Sequence, residues 1–278
     1  MGKQMEDKPG KTVKTTFGWD LCHTCNYRCD YCRGWERESA GDVTLPPEKW
    51  LEIWKRIKDL YGECHLFVSG GEPSTYPGFA DLMLGLAKLH EVDICTNLSW
   101  DPSALASALP PGRLTLSATF HPDFADFEDI FAKAVKFRDY LPSRQVYTVA
   151  RHPHIEKLPE WSRRLAEHGI KLVPIPLRGG GEVLNSEKEK EVITDVSPYT
   201  GDRKLGYQLK RLSPKGKLCS AGQHYAVIRS DCRVDRCSQC SDGEVGSILA
   251  PEFRLFAEPR PCKLEFCPIE SQWIIEND

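Results

Sequence analysis

Cys25-Asn26-Tyr27-Arg28-Cys29-Asp30-Tyr31-Cys32 places three thiols within eight residues. At that spacing one compact object can take all three sulfurs without long side chains reaching across a fold. Clustered thiolates select zinc, copper(I) or iron–sulfur clusters over the hard cations that prefer oxygen. Three sulfurs also leave one metal coordination position that this loop does not fill. On the loop alone, half of a zinc knuckle or a set of buried thiols competes with that use.

Two further features narrow the choice. Tyr31 stands directly before the last cysteine, and the apolar run 64–68 leads into Ser69-Gly70-Gly71-Glu72-Pro73. The C-x3-C-x2-C spacing, the aromatic residue and the Gly-Gly-Glu-Pro turn together resemble the radical S-adenosylmethionine (SAM) enzymes. The resemblance implies that Cys25, Cys29 and Cys32 hold three irons of a [4Fe–4S] cluster and that SAM chelates the fourth. It also implies that Gly70, Gly71, Glu72 and Pro73 meet the methionine ammonium. The glycines would allow close backbone approach, with Glu72 supplying or ordering an acceptor. Asn97 and Ser117, at strand ends, would bond the carboxylate or ribose hydroxyls. Tyr31 and residues near Val173 would flank the adenine.

The last 60 residues carry six of the twelve cysteines: Cys219, Cys232, Cys237, Cys240, Cys262 and Cys267. Apolar residues are sparse there and glycine and proline frequent, so the segment needs an inorganic staple to fold. Cys219-Ser220-Ala221-Gly222, the stretch 225–237, Gly246-Ser247-Ile248 and Cys262 to Cys267-Pro268 resemble the SPASM/Twitch extensions of radical SAM enzymes. The short tail is similar to the one-cluster Twitch form. That implies an auxiliary [4Fe–4S] cluster on Cys219, Cys237, Cys262 and Cys267. Asp231-Cys232 stands where Asp-Gly is common and Cys240 is extra, so either could replace one of the four. A zinc ribbon of Cys237/Cys240 with Cys262/Cys267 is the alternative.

The elements that must position these residues follow from hydrophobic period. Apolar strands are expected at 15–21, 64–68, 92–95, 114–119, 145–150 and 170–175. Helices lie between them. One starts at Pro46-Pro47, with Trp50, Ile53, Trp54, Ile57 and Leu60 on one face and Gly62 as its stop. Others follow Pro77 and Asp101-Pro102, span about 123–140, and surround Trp161 and Leu165. Six strand–helix repeats call for a parallel sheet with crossovers. The family resemblance specifies an α/β partial (β/α)6 TIM-like barrel with a small C-terminal cysteine-rich, Twitch-like domain. Ligands in such barrels gather at the C-terminal strand ends. There fall the cysteine loop, Gly70-Gly71-Glu72, Asn97, His121, Arg151 and Arg178. The expected organisation is a polar leader 1–14, a barrel 15–181 ending in a triple-glycine hinge, a charged linker 182–217 and the tail 218–278.

Composition excludes other classes. Lys+Arg 37 against Asp+Glu 40 gives −3, so no global positive field points to nucleic acid or an anionic membrane. The leader reads as neither signal peptide nor anchor, and no run of 18 apolar residues exists. Thiols at metal spacings without a secretion signal place the chain in a reducing cytoplasm.

The resemblance implies reductive cleavage of SAM to a 5′-deoxyadenosyl radical, which takes hydrogen from a substrate C–H bond. The auxiliary cluster would accept the electron when the substrate radical is oxidised. His121, Arg151, His152 and Arg178 are candidates for substrate binding or proton transfer. The leading expectation is oxidation of a small polar metabolite such as a sugar or aminocyclitol alcohol, because fewer than 20 residues precede the first strand and leave no room for a peptide-recognition domain. A peptide- or protein-modifying enzyme, crosslinking or inverting a centre, is second; inversion would need a spare thiol from Cys22, Cys64, Cys95, Cys232 or Cys240. A non-catalytic zinc-ribbon binding protein is third. Reduced flavodoxin or ferredoxin is the family's expected electron donor.

Overall fold

The alternation along residues 114–120 shows how the sheet divides inside from outside. Leu114, Leu116, Ala118 and Phe120 are buried, and the intervening Thr115, Ser117 and Thr119 are half-buried on the opposite face. Phe120 packs against Phe127 and Trp161 of the covering helices, with centroids 5.8 and 5.1 Å apart. In a half-buried strand this period of two sends apolar groups to the helices and small polar groups to the barrel interior.

The computed structural model describes residues 13–32, 41–179, 182–198, 206–207, 209–240, 243–267 and 270–275. Six strands run parallel in chain order: β1 (Thr16–Cys22), β2 (His65–Gly70), β3 (Glu91–Thr96), β4 (Leu114–Phe120), β5 (Gln145–Ala150) and β6 (Lys171–Pro176). Between them lie α1 (Pro47–Tyr61), α2 (Phe79–Leu86), α3 (Ser103–Ala108), α4 (Phe127–Lys136) and α5 (Leu158–Ala166). This is the α/β architecture of an open, partial barrel, as the repeats predict. Phe17 and Trp19 of β1 meet Trp54 and Trp50 of α1 at 5.7 and 4.6 Å. The fourth helix is shorter than the expected 123–140. Asp126 caps the amide of Glu128, and the chain tightens into a 3-10 turn at Arg138–Tyr140.

The stretch 182–217 is not a plain linker. It contains α6 (Glu187–Val196), started by a capping box between Ser186 and Glu189. Only Ile193 of this helix is fully buried, which is why its apolar period is faint in the sequence. Of the triple glycine, Gly179 lies in the two-residue strand β7 (Arg178–Gly179), paired with β8 (Glu182–Val183). Gly180 and Gly181 lie outside the described residues, as do leader residues 1–12 and Pro268.

The tail joins the barrel's own sheet. β9 (Leu218–Cys219) pairs with β13 (Arg260–Pro261), while β10 (Tyr225–Ile228) adds parallel to β1, Thr16 opposite Tyr225 and Trp19 opposite Ile228. β11 (Arg233–Asp235) and β12 (Gly246–Ser247) continue outward, making one nine-stranded sheet. A Cβ on Gly18 would lie 2.9 Å from the Tyr225 hydroxyl, so glycine is what lets Tyr225 cross β1. Among the described residues no helix is long and apolar enough to cross a membrane.

Candidate active site

A cavity of about 260 Å³ opens at the C-terminal ends of β1 to β4. Cys25, Cys29 and Cys32 line one side, Ser69, Gly70, Gly71 and Glu72 a second, and Cys95, Thr96, Asn97, Thr119 and His121 a third. His23, Tyr27 and Tyr31 complete the described lining.

The cysteine loop and the Gly-Gly-Glu-Pro turn are zipped together through their backbones. Gly71 N–H donates to Cys22 O at 2.7 Å and Glu72 N–H to Thr24 O at 2.9 Å. A Cβ on Gly70 would sit 2.2 Å from Cys22 O, and one on Gly71 2.1 Å from Thr24 O. Gly70 also has φ +117, a left-handed conformation open to glycine. The chain's own crossing therefore requires both glycines. Glu72 is buried, and its carboxylate accepts from Thr96 Oγ1 and Asn97 N–H at 2.8 Å each and from Ser74 N–H at 3.2 Å. It is turned into the protein, ordering the turn against the end of β3. Pro73 opens the short 3-10 turn that follows. Asn97 donates to Asn26 Oδ1 at 2.9 Å and accepts from Ser99 N–H, and Asn26 donates to Ser99 Oγ, closing a ring that fixes the cysteine loop to β3.

Tyr31 and His121 form the opposite wall. The Tyr31 hydroxyl lies 2.8 Å from His121 Nδ1, and their rings are nearly parallel at 6.2 Å. Cys29 Sγ is 3.5 Å from the same nitrogen. Burial holds the Tyr31 hydroxyl far above its usual range and pulls His121 down to about 4, against the opposing charge of Asp123. Both groups are neutral near pH 7. Arg151 does not line the cavity; its guanidinium lies 5.2 Å from the Tyr31 ring centroid and pairs with Asp30 and Asp123. Asp123 also bonds His154 at 2.9 Å.

Some expected positions are not brought together. Ser117 sits a layer deeper, donating its Oγ to Asp93 Oδ2 at 2.8 Å and its N–H to Oδ1 at 3.0 Å. Thr119 takes the wall position instead. Arg178 stacks over Phe266 of the tail at 5.8 Å, and burial lowers it to about 10 against the fields of Glu270 and Cys267. His152 and Val173 are also absent from the described lining. Conversely, Cys95 was singled out only as a spare thiol, and His23, Tyr27, Thr96 and Thr119 were given no role. Thr119 was findable, two residues along its strand from Ser117. His23 was not, because Asp42 and Ser230, its partners, are 19 and 207 residues away.

A second pocket in the tail is ringed by Cys219, Cys237, Cys240, Cys262 and Cys267. Cys237 and Cys240 sulfurs are 3.4 Å apart. Cys232 is elsewhere, buried in the barrel's apolar core with φ +68 at a turn where glycine is the easy residue. Of the two candidate replacements, only Cys240 therefore accompanies the other four. Burial drives the Cys267 thiol upward, while the hydrogen bond with Cys240 lowers Cys237. Both cysteine-lined cavities offer soft sulfur donors that fit iron–sulfur clusters, and Tyr27 N–H already points at Cys25 Sγ at 3.4 Å. The sulfurs ring each space rather than converge. Among the described residues no three His, Cys, Asp or Glu side chains close on a single ion.

A three-cysteine loop over the strand ends of a partial barrel is the arrangement of a radical SAM domain. Residues 20–117 match the Radical SAM superfamily. Over 100 residues it is 33% identical to GTP 3′,8-cyclase of Staphylococcus aureus (strain JH9), a match spanning 34% of this chain and 28% of that relative's length. Its fold is similar to that of Streptococcus suis SuiB bound to S-adenosylmethionine, with TM-score 0.58, 16% identity and coverage of 81% of this chain and 60% of SuiB. It is also similar to anSMEcpe with bound AdoMet and Cp18Cys peptide, with TM-score 0.56, 16% identity and coverage of 84% and 77%.

Proposed function

We propose that the chain cleaves SAM reductively in the barrel cavity, takes hydrogen from a substrate C–H bond, and oxidises the resulting substrate through an auxiliary iron–sulfur cluster in the tail pocket. The observation that carries this reading is the meeting of Cys25, Cys29 and Cys32 with the Gly70-Gly71-Glu72 turn and the ends of β3 and β4 around one cavity. When bound, the first cluster and SAM supply the electron and the carbon radical. Cys25, Cys29 and Cys32 would hold three irons, leaving the fourth for SAM. The backbone of Gly70-Gly71-Glu72 would receive the methionine end. Thr96, Asn97 and Thr119 would face the carboxylate and ribose, and Tyr31 the adenine. His121, on the cavity wall, would bond the substrate. Arg151 acts through Tyr31, holding it with Asp30 and Asp123. Cys219, Cys237, Cys262 and Cys267, with Cys240 beside them, would hold the auxiliary cluster.

A cavity of about 260 Å³ is at the small end for a ligand site, which favours a small polar group as the reacting part of the substrate. A second reading is that the group belongs to a peptide presented at the mouth, supported by the peptide-bound SuiB–SuiA and anSMEcpe structures of like fold. The radical SAM match over residues 20–117 supports a catalytic reading over a non-catalytic zinc-ribbon protein. Anaerobically reconstituted protein should hold about eight irons per chain with matching sulfide. Reduced by flavodoxin or ferredoxin, it should release 5′-deoxyadenosine. Incubation in deuterated buffer then separates outcomes: a two-dalton loss supports oxidation, whereas solvent deuterium in the product overturns it in favour of inversion. About four irons, or stoichiometric zinc, would overturn the auxiliary site.

A further inference from the structure

We propose that Arg229 is a positioning residue that ties the tail's cysteine pocket to the SAM-side cavity and sets the charge around the group the pocket holds. The proposal rests on the reading that this group is an iron–sulfur cluster. Arg229 directly follows β10 and is 6% exposed. Its Nε donates to Asp235 Oδ2 at 2.6 Å and its Nη1 to Asp20 Oδ2 at 3.3 Å. Its Nη2 gathers the carbonyls of Cys240, Ser238 and Cys237 at 2.7, 3.0 and 3.4 Å. One guanidinium thus holds the turn bearing two of the pocket's cysteines.

The other end of the bridge is in the barrel. Asp20 lies on β1 and accepts from Ser69 Oγ at 3.1 Å, and Ser69 lines the first cavity. A continuous path therefore runs Ser69–Asp20–Arg229–turn 237–240. The adjacent turn docks on the same place: Ser230 Oγ is 3.0 Å from His23 Nδ1, and Val43 N–H donates to Ser230 O at 2.8 Å. Backbone carbonyls gathered in a buried place need a donor, and only a planar fork serves three carbonyls and two carboxylates at once. Asp235 has a second, longer ion pair with Arg233 at 3.9 Å, whereas Asp20 pairs with Arg229 alone among the described residues. Removing Arg229 takes a buried positive charge from directly behind the Cys237–Cys240 turn, which favours the oxidised state of a cluster held there. Groups behind the direct ligands are known to tune metal affinity and potential in this way.

The test isolates the tail pocket in the full chain by replacing Cys25, Cys29 and Cys32 with alanine. After anaerobic reconstitution this background should retain about four irons per chain with the cubane's electron paramagnetic resonance signal. Adding Arg229→Met should at least halve the iron. In the chains that keep a cluster, the midpoint should fall by a tenfold change in equilibrium, about 59 mV for one electron. Arg229→Lys, which keeps the charge but loses the fork, should restore the midpoint more than the iron content. Asp20→Asn should weaken loading without lowering the potential. If Arg229→Met fails to fold, as judged by melting of the metal-free protein, Arg229→Lys decides. Unchanged iron, signal and midpoint in Arg229→Lys and Arg229→Met would overturn the role of Arg229. Loss of all iron in the background with Arg229 intact would instead overturn the reading of the pocket, and the proposal with it.

Discussion

The two cysteine-lined spaces are held in opposite ways. Around the barrel cavity the protein bonds to itself: Glu72 takes three donors, Asn97, Asn26 and Ser99 close a ring, and the Gly70–Gly71 turn is zipped to Cys22 and Thr24. The tail pocket has five thiols and the two-residue pairing of β9 with β13, and is tied by buried charged side chains: Arg229 behind the Cys237–Cys240 turn, Arg236 on the carbonyls of Cys219, Arg260 and Pro261, and Glu270 accepting from Ser238 N–H and the Tyr225 hydroxyl. The first is set into the strand ends of the barrel. The second rests on short pairings and few apolar residues, so a group bound by its thiols is expected to be part of what folds it.

The largest expected effect tests whether the two are independent. Replacing Cys25, Cys29 or Cys32 singly with alanine should reduce 5′-deoxyadenosine formation to background while about half of the iron stays, on the tail cysteines. Loss of all iron from these variants would mean that the tail does not load by itself. Gly71→Ala should be the most damaging single change to the barrel, because its Cβ meets backbone oxygens at 2.1 and 2.6 Å that cannot swing aside. A loss of about 3 kcal/mol or more is expected in denaturant melts of the metal-free protein. Near-wild-type stability would show that the zipped turn is not rigid. A smaller effect separates the regions directly. Stripping metal should speed amide exchange at 237–240 and 260–267 by about tenfold or more, with β1 to β5 still protected. Equal change in both regions would erase the contrast.

What the sequence made legible follows the same division. The barrel is written in local patterns: residues 145–150 form the expected strand, and Pro47 and Gly62 bound α1 as their chemistry dictates. The cysteine loop and the Gly-Gly-Glu-Pro turn could be placed because strand ends in a parallel barrel converge. What escaped depends on distant pairing. The addition of β10 to β1 joins residues about two hundred positions apart, and the Arg229–Asp20 contact that secures it spans 209. Arg178 ends a barrel segment, as expected, but turns toward Phe266, a choice no local pattern carries. Ser117 lay on the correct face, one pleat too deep, because period alone gives the face and not the height.

The smallest effect concerns two buried aspartates. Asp235 lies against the Arg229 guanidinium, whereas Asp93, inside the barrel, is met by the amide and hydroxyl of Ser117 and has no ion pair among the described residues. Burial raises Asp93 from 3.8 to about 6, with the Ser117 and Thr115 hydrogen bonds opposing the shift. The native state therefore keeps this proton up to about pH 6, while the unfolded chain releases it near 4. Between those values the native state binds more protons, so this contribution to stability is present below about pH 4 and is lost as pH rises through 6. The slope is at most about 1.4 kcal/mol per pH unit for one proton. Asp93→Asn should remove it, so subtracting the variant's unfolding free energy from that of the wild type should leave a difference that falls between pH 4 and 6. A flat difference would mean that the barrel interior admits enough water to treat Asp93 as an ordinary carboxylate, and the barrel's self-contained polar lining would lose its deepest member.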